Sequence, residues 1–446
     1  MEKNETFTGI CQGYSFEGAG VVRADGMVVF VPGLLDGEEA EIGITAVRKN
    51  MAYGRIVNVL KKSAHRVEPA CSVYRLCGGC QLLHMDYPEQ ARFKEEKVEA
   101  CFRTNAGMAL KPDPILHGQL RQGYRNKVQV PVQVTGSGKV LMGFYQNHTN
   151  KIIEFDRCLV QTDLSNAVVA SCRTWLEELH CADSFRYVLI KHAHRSHQLM
   201  VVLVVRRYPF NNAKELVRRI TETYPAVKSL IAFVSDKEDN VILDRGGKEI
   251  LLAGQPYIEE TLLDHTFRIS ARSFYQVNPD ATGILYQTAL AFAGIQKTDT
   301  VIDLYCGTGT IGILAAGQAK KVYGIEIVAD AVKDARINAG INHVSNIDFI
   351  TADALQGALR LEKSKIKTDV VIVDPPRKGC GEQVLDAIER ISPKRLVYVS
   401  CDPATLARDC AYLAQEGWQV QKCQPVDMFP GTVHVETVCL LERKIG

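Results

Sequence analysis

The chain has 446 residues, enough for two or three domains that each bury a core of their own. Hydrophobic residues make up 46% and charged residues 23%, the balance of a soluble globular protein, and no run of about 18 apolar residues exists to span a membrane. A formal net charge of +2 announces no polyanionic partner for the chain as a whole.

The N-terminus, Met-Glu-Lys-Asn-Glu-Thr, carries acids and lacks the apolar centre of a signal peptide. Fourteen cysteines in a chain without an export signal point to metal binding or catalysis in a reducing, cytoplasmic compartment, not to a disulfide framework. Charge is patchy: Arg48, Lys49, Arg55, Lys61, Lys62 and Arg66 make the N-terminal end basic, and Arg121, Arg125 and Lys127 form a second cluster. Such patches suit a phosphate backbone, and equally a solubilising surface.

Residues 6–60 read as short strands punctuated by glycines, the pattern of a small antiparallel barrel. Within them, the stretches at 13–21 (Gly-Tyr-Ser-Phe-Glu-Gly-Ala-Gly-Val) and 31–38 (Val-Pro-Gly-Leu-Leu-Asp-Gly-Glu) resemble the TRAM domain, an OB-like RNA-binding module. The resemblance implies an RNA partner and a first domain over 1–64.

Cys71, Cys77 and Cys80 follow, with two glycines between the last two, a spacing that favours a loop wrapped round an inorganic centre. Cys158 is the best candidate for a fourth ligand, whereas Cys101 and Cys172 sit in helix-like contexts. Four thiolates suit either tetrahedral zinc or an iron–sulfur cluster. An amphipathic helix is expected over 87–105, followed by strands at 126–132, 140–145, 186–190 and 199–205 and helices near 162–180 and 211–224. A mixed α+β central domain over 65–260 results, on which the helix 87–105 need not stay: it is free to pack on the last domain. His192, His194 and His197 read as a basic hairpin turn, with no site assigned.

Beyond that point, over 261–446, strands at 300–305, 321–325, 347–351, 370–373, 396–400 and 433–441 alternate with helices, as in a doubly wound, mostly parallel sheet. Asp303-Leu-Tyr-Cys-Gly307-Thr-Gly-Thr-Ile-Gly312 ends the first of these strands with glycines that allow close backbone approach to a ligand. Asp303, Glu326 and Asp353 stand at three successive strand ends; Glu326 is placed to hold two ribose hydroxyls and Asp353 to contact the adenine side, which favours S-adenosylmethionine over a nicotinamide. Gln276, in Phe-Tyr-Gln-Val-Asn-Pro, is positioned to donate to cofactor or substrate.

Asp374-Pro-Pro-Arg377 has an arginine where amine methyltransferases carry an aromatic, and a cysteine, Cys401, ends the next strand. Asp402 suits an N-cap and Pro403 the first helical position, so the Cys401 thiol faces the positive end of a helix dipole, which favours the thiolate. Pyrimidine C5 is too weak a nucleophile to take a sulfonium methyl unaided; a thiolate added at C6 activates it, and a base must then remove the C5 proton. Glu436 on a late strand is placed as that base, with His434 on the same face by the period of two.

Taken together, Gln276-Val-Asn-Pro, Asp303-Leu-Tyr-Cys-Gly-Thr-Gly, Asp374-Pro-Pro-Arg, Ser400-Cys401-Asp-Pro and His434-Val-Glu436 resemble the RNA uracil-C5 methyltransferase family, and with the TRAM-like start and the four cysteines the likeness spans nearly the whole chain. The resemblance implies a multidomain fold: an OB-like barrel, an α+β central domain with an iron–sulfur cluster, and a Rossmann-like methyltransferase domain. It implies Cys401 as nucleophile, Glu436 as proton acceptor, Gln276, Tyr305, Glu326 and Asp374 as cofactor-site positions, and a [4Fe-4S] cluster on Cys71, Cys77, Cys80 and Cys158. TRAM together with a cluster is similar to the ribosomal RNA branch, so the expected product is 5-methyluridine in 23S rRNA made by a cytoplasmic monomer, with Arg125 and Lys127 as candidate RNA contacts. Rival readings are a tRNA uracil-C5 methyltransferase, an RNA cytosine-C5 methyltransferase and an RNA-binding iron–sulfur sensor.

Overall fold

Glycine-broken runs of β-branched residues at the start of the chain close into a five-stranded barrel: β1 (Thr6–Tyr14), β2 (Ala19–Ala24), β3 (Met27–Pro32), β4 (Glu39–Val47) and β5 (Met51–Lys61), in the order β1-β2-β3-β5-β4. The barrel is not wholly antiparallel, because β3 and β5 pair in parallel, Val28 opposite Met51, as closure requires when the chain skips β4. This computed structural model describes residues 1–147, 149–237 and 241–443.

After the cysteine loop comes α1 (Tyr87–Ala106), capped by the Asp86 carboxylate and ended by Gly107 in the left-handed region. Its apolar side does not face the central domain. Val98, Cys101 and Phe102 are buried with residues of the last domain's sheet and helices. The next segment, β6 (Leu116–His117), goes to the same domain as an edge strand.

The central domain is a seven-stranded sheet, in the order β13-β12-β11-β10-β7-β8-β9. Its strands are β7 (Lys127–Val134), β8 (Val140–Tyr145), β9 (Ile152–Glu154), β10 (Phe185–Ala193), β11 (Gln198–Val205), β12 (Val227–Val234) and β13 (Lys248–Gly254). Helices α2 (Asp163–Glu178) and α3 (Ala213–Thr223) cover one face, and residues 194–197 form the β10–β11 turn, which holds His194 and His197, whereas His192 lies in β10. The other face packs on the hairpin of β14 (Tyr257–Leu262) and β15 (His265–Ser270), which continues into the core of the last domain.

That domain follows α4 (Pro279–Ala293) with β16 (Thr300–Leu304), α5 (Thr310–Ala316), β17 (Lys321–Glu326), α6 (Ala329–Ile341), β18 (Ile347–Thr351), α7 (Ala354–Lys363), β19 (Val370–Val373), α8 (Glu382–Ile391), β20 (Arg395–Ser400), α9 (Pro403–Gln415), β21 (Trp418–Asp427) and β22 (Glu436–Arg443). The sheet runs β18-β17-β16-β19-β20-β22-β21-β6, parallel through β20, with β22 antiparallel to both of its neighbours. The order reverses at β16, so a crevice opens at its carboxyl end. Among the described residues no helix is long and apolar enough to cross a membrane.

Candidate active site

The turn after β16 makes the crevice floor. Tyr305 (φ 65°), Gly307 (φ 55°) and Gly309 (φ 81°) are all left-handed, which lets the chain reverse tightly into α5. Asp303 is wholly buried under this turn and accepts from Gly312 N at 2.8 Å; burial pushes it up to about 8. Its place is beneath the turn, and it does not line the crevice. Glu326, half-buried, accepts from Gly307 N at 3.1 Å and Val328 N at 2.8 Å. Asp353 is exposed and caps α7, accepting from Gln356 N at 3.0 Å. Gln276, Tyr305, Gly307 and Asp374 come together round one pocket, with Phe274 and Tyr286 among its other walls.

The 274–278 strip is held from the central domain. Asn126 N donates to Val277 O at 2.8 Å, Asn126 Nδ2 to Gln276 O at 2.9 Å, and the buried Lys191 Nζ to Ser270 O and Ser273 O at 2.7 and 2.8 Å. Phe274 is left 65% exposed at the mouth.

Cys401 and Glu436 meet at the end of one ladder. The last paired step of β20 with β22 is Ser400 opposite Thr437, so Cys401 and Glu436 are the next residue on each strand. Glu436 is buried, and its Oε2 has no hydrogen-bond partner among the described residues. Burial, then the Asp374 charge, pushes Glu436 up to about 8; Asp374 is raised to about 7 by desolvation in the pocket wall. A buried carboxylate with no partner in the fold is available to a substrate atom, and its ionised form is the one that can take a proton.

Asp402 caps α9 as expected, accepting from Ala404 N at 2.9 Å and Thr405 N at 3.3 Å. The dipole does not lower the thiol, however. Burial first, then the charges of Glu436 and Asp374, push Cys401 up to about 11, against the pull of Arg377. The capping carboxylate occupies the helix's free donors and adds its own negative charge. His434 also differs from expectation: β22 begins at Glu436, so His434 lies in the preceding loop, edge-on to Phe429, and burial and the Arg377 charge hold it neutral at about 4.

One buried carboxylate ties the two chemistry-bearing loops together. Asp409 of α9 accepts from Tyr398 OH on β20 at 2.6 Å and from Cys380 N, at the end of the Asp374 loop, at 2.9 Å. Gly379 must be glycine there, since a Cβ would lie 2.5 Å from Asp409 Oδ2 at φ 79°. Neither Asp409 nor the electrostatic role of Arg377 was visible in sequence, where one is an acid nearly two turns into α9 and the other a cation after Pro-Pro.

The four expected ligands act on one another electrostatically although Cys158 is far from the others in sequence. Cys71, Cys77, Cys80 and Cys158 are half-buried free thiols. Burial, then the charges of Cys158, Cys77 and Cys71, push Cys80 up to about 12; Cys158 is raised by burial and by Cys77 and Cys71. Gly79 N donates to Cys77 Sγ at 3.4 Å. Among the described residues no three His, Cys, Asp or Glu side chains form a group arranged to hold a metal ion.

Of the basic cluster, Arg121 stacks on the Tyr87 ring at 3.6 Å and Arg125 Nε donates to Lys127 O at 3.1 Å. Lys127 is half-buried beside Lys191 and Tyr275 in a small internal cavity.

Comparison with known proteins places these features in one family. A model described as tRNA (Uracil-5-)-methyltransferase matches residues 216–444, and one described as the TRAM domain matches residues 11–57. An uncharacterized RNA methyltransferase of Clostridium tetani is 39% identical over 99% of this chain and 97% of its own, and one of Halalkalibacterium halodurans is 40% identical over 100% and 98%. The crystal structure of Pyrococcus abyssi tRNA (uracil-54, C5)-methyltransferase in complex with S-adenosyl-L-homocysteine is similar with a TM-score of 0.76 at 25% identity, covering 98% of this chain and 100% of that one.

Proposed function

The chain belongs to the family of RNA uracil-C5 methyltransferases, and on that premise we propose that it methylates C5 of a specific uridine in 23S ribosomal RNA, giving 5-methyluridine. The observation that carries the chemistry is Cys401 beside an unpartnered, buried Glu436 at the end of the β20–β22 ladder, next to the Asp374 pocket. S-adenosylmethionine, when bound, supplies the electrophilic methyl group; Gln276, Tyr305, Gly307, Glu326 and Asp374 are the residues that would hold it, with Asp303 bracing the turn from below and Asp353 at the adenine side. The flipped uracil enters the mouth beside Phe274. Cys401 first loses its thiol proton to solvent; the thiolate then adds through Sγ to C6, and the C5=C6 electron pair moves into an enolate. C5 then takes the methyl group. Glu436 accepts the C5 proton, the C6–S bond breaks, and the thiolate returns to Cys401.

The cysteine quartet supports a [4Fe-4S] cluster. Cys77, Cys80 and Cys158, each raised by burial and by neighbouring thiols, with an N–H already aimed at the Cys77 sulfur, form a site that a cationic centre would relieve. The methylation needs no electron, so the cluster's contribution is four bonds joining the 71–80 loop to Cys158.

The quartet also carries the ribosomal reading, because TRAM with a cluster resembles the ribosomal RNA branch of the family. A second reading, methylation of tRNA, has its own support: the archaeal enzyme that covers the whole chain, barrel included, is named for a tRNA uracil. Mapping 5-methyluridine separately in rRNA and tRNA from cells lacking the gene decides. Loss of a site from 23S rRNA is expected; loss from tRNA alone establishes the second reading, and loss from neither overturns both.

A further inference from the structure

Residues 428–435 join β21 to β22 and deliver Glu436, yet much of what holds them lies outside the catalytic domain. Gln81 N and Leu82 N both donate to Gly431 O, at 3.1 and 2.9 Å. Gly431 N donates to Gln90 Oε1 of α1 at 2.8 Å. Lys97 Nζ, also of α1, donates to Val433 O at 2.9 Å and to Phe16 O of the barrel at 3.0 Å. Tyr124 OH donates to Pro430 O at 2.9 Å. Side chains agree with backbone: Leu35 of the barrel, Leu82, Met85, Phe93 of α1 and Val433 form one buried apolar cluster.

One of the segments that grip this loop carries three of the cysteines, and another is bonded to the segment that carries the fourth. Gln81 directly follows Cys80, and Tyr124 lies in the 123–125 stretch whose Gly123 N and Arg125 N bond to Leu159 O and Val160 O, just after Cys158. The turn itself calls for a glycine, since Gly431 has φ 81°, and Leu83 packs closely over it. The segment's bonds to itself are short-range, such as Thr432 N to Phe429 O at 3.1 Å, and do not orient it against Cys401.

We infer that the cysteine loop and α1 are a positioning frame for the general base, with Gln90 and Lys97 as positioning residues that set Glu436 against the C5 proton. The inference rests on the uracil-C5 reading above. A base must come within hydrogen-bond reach of the proton it removes, and a displacement of about 1 Å costs on the order of a hundredfold in rate. Loosening the frame therefore slows the step that Glu436 performs and leaves the preceding ones alone.

The test uses the full-length enzyme with Gln90→Met, which keeps volume and removes the acceptor, and Lys97→Met, a half-buried position where misfolding is less of a risk. Three quantities are read: the fraction of enzyme held as methylated covalent adduct on denaturing gels, the kinetic isotope effect with RNA deuterated at uridine C5, and the affinity for S-adenosylmethionine. The expected result is adduct accumulating about tenfold or more over wild type and a larger isotope effect, with cofactor affinity unchanged. Equal slowing of adduct formation and resolution, or an unchanged isotope effect in both variants, overturns the inference. A wild-type enzyme that forms no 5-methyluridine overturns the underlying reading instead.

Discussion

Lys94 Nζ donates to Asp427 Oδ1 at 2.6 Å with both side chains fully buried, and to Phe429 O at 3.0 Å, so α1 is bolted to the strand end from which the base-bearing loop departs. Burial alone would discharge the lysine; the carboxylate opposes that. Lys94→Met leaves an unpaired buried carboxylate and is expected to cost about 3–5 kcal/mol. Adding Asp427→Leu should recover much of the loss. Denaturant unfolding of the two variants checks both statements, and a single variant as stable as wild type would contradict the first.

Cys401→Ala is expected to abolish the covalent RNA adduct and methyl transfer together. Glu436→Gln keeps the nucleophile and should trap the methylated adduct. Denaturing gels with radiolabelled RNA separate the two; methylation by Cys401→Ala at the normal rate would rule out the thiol mechanism.

Arg377 is the one cation that lowers both Cys401 and Glu436 among the causes acting on them. Arg377→Met should raise both groups, moving the rise of adduct formation with pH to the alkaline side and slowing it about tenfold at neutral pH for each pKa unit gained. A pH–rate series on single-turnover adduct formation reads this directly.

Asp374, at about 7, and Asp303 and Glu436, at about 8, all stand above the ordinary carboxylate range. Between their unfolded values near 4 and these folded values the native state holds protons that the unfolded chain has released. Their contribution to stability is therefore complete below about pH 4 and is lost as pH rises through 7–8. The melting temperature of the ligand-free protein should fall between pH 6 and pH 9, and that of Glu436→Gln should fall less. Parallel curves for the two proteins would show that Glu436 is ionised in the fold.

Anaerobic purification should give a brown protein with iron and sulfide in equal amounts, and Cys80→Ser should lose the colour. Zinc in place of iron, by metal analysis, would refute the cluster.

Much of the site was legible because strand ends advertise themselves. Cys401 before Asp-Pro, Asp374 before Pro-Pro and Gly307 in a glycine-rich turn are each placed by local rules, and the structure puts them at neighbouring carboxyl ends of one sheet. What sequence could not give is non-local. The pairing that sets Cys401 beside Glu436 depends on β22 entering between β20 and β21, and antiparallel insertion leaves no periodic trace. His434 was misplaced for the same reason, since period-two reasoning assumes a strand that begins two residues later. The dipole at Cys401 was read correctly as geometry and wrongly as chemistry, because burial and two nearby acids outweigh one helix end. Asp409 and Lys94 look like surface charges on amphipathic helices until tertiary packing covers them.

The route of the chain through β6 and α1 also bears on how the protein is made. α1 and Leu116–His117 leave the ribosome well before α9 and β21, the elements they dock on. Until the last fifth of the polypeptide emerges, Val98, Cys101 and Phe102 have no surface to cover them, so a nascent chain stalled short of β21 presents a sticky helix to the cell's chaperones. A catalytic domain expressed alone from residue 261 inherits the complementary defect, a bare β21 edge and an uncovered face of α9, and is expected to aggregate.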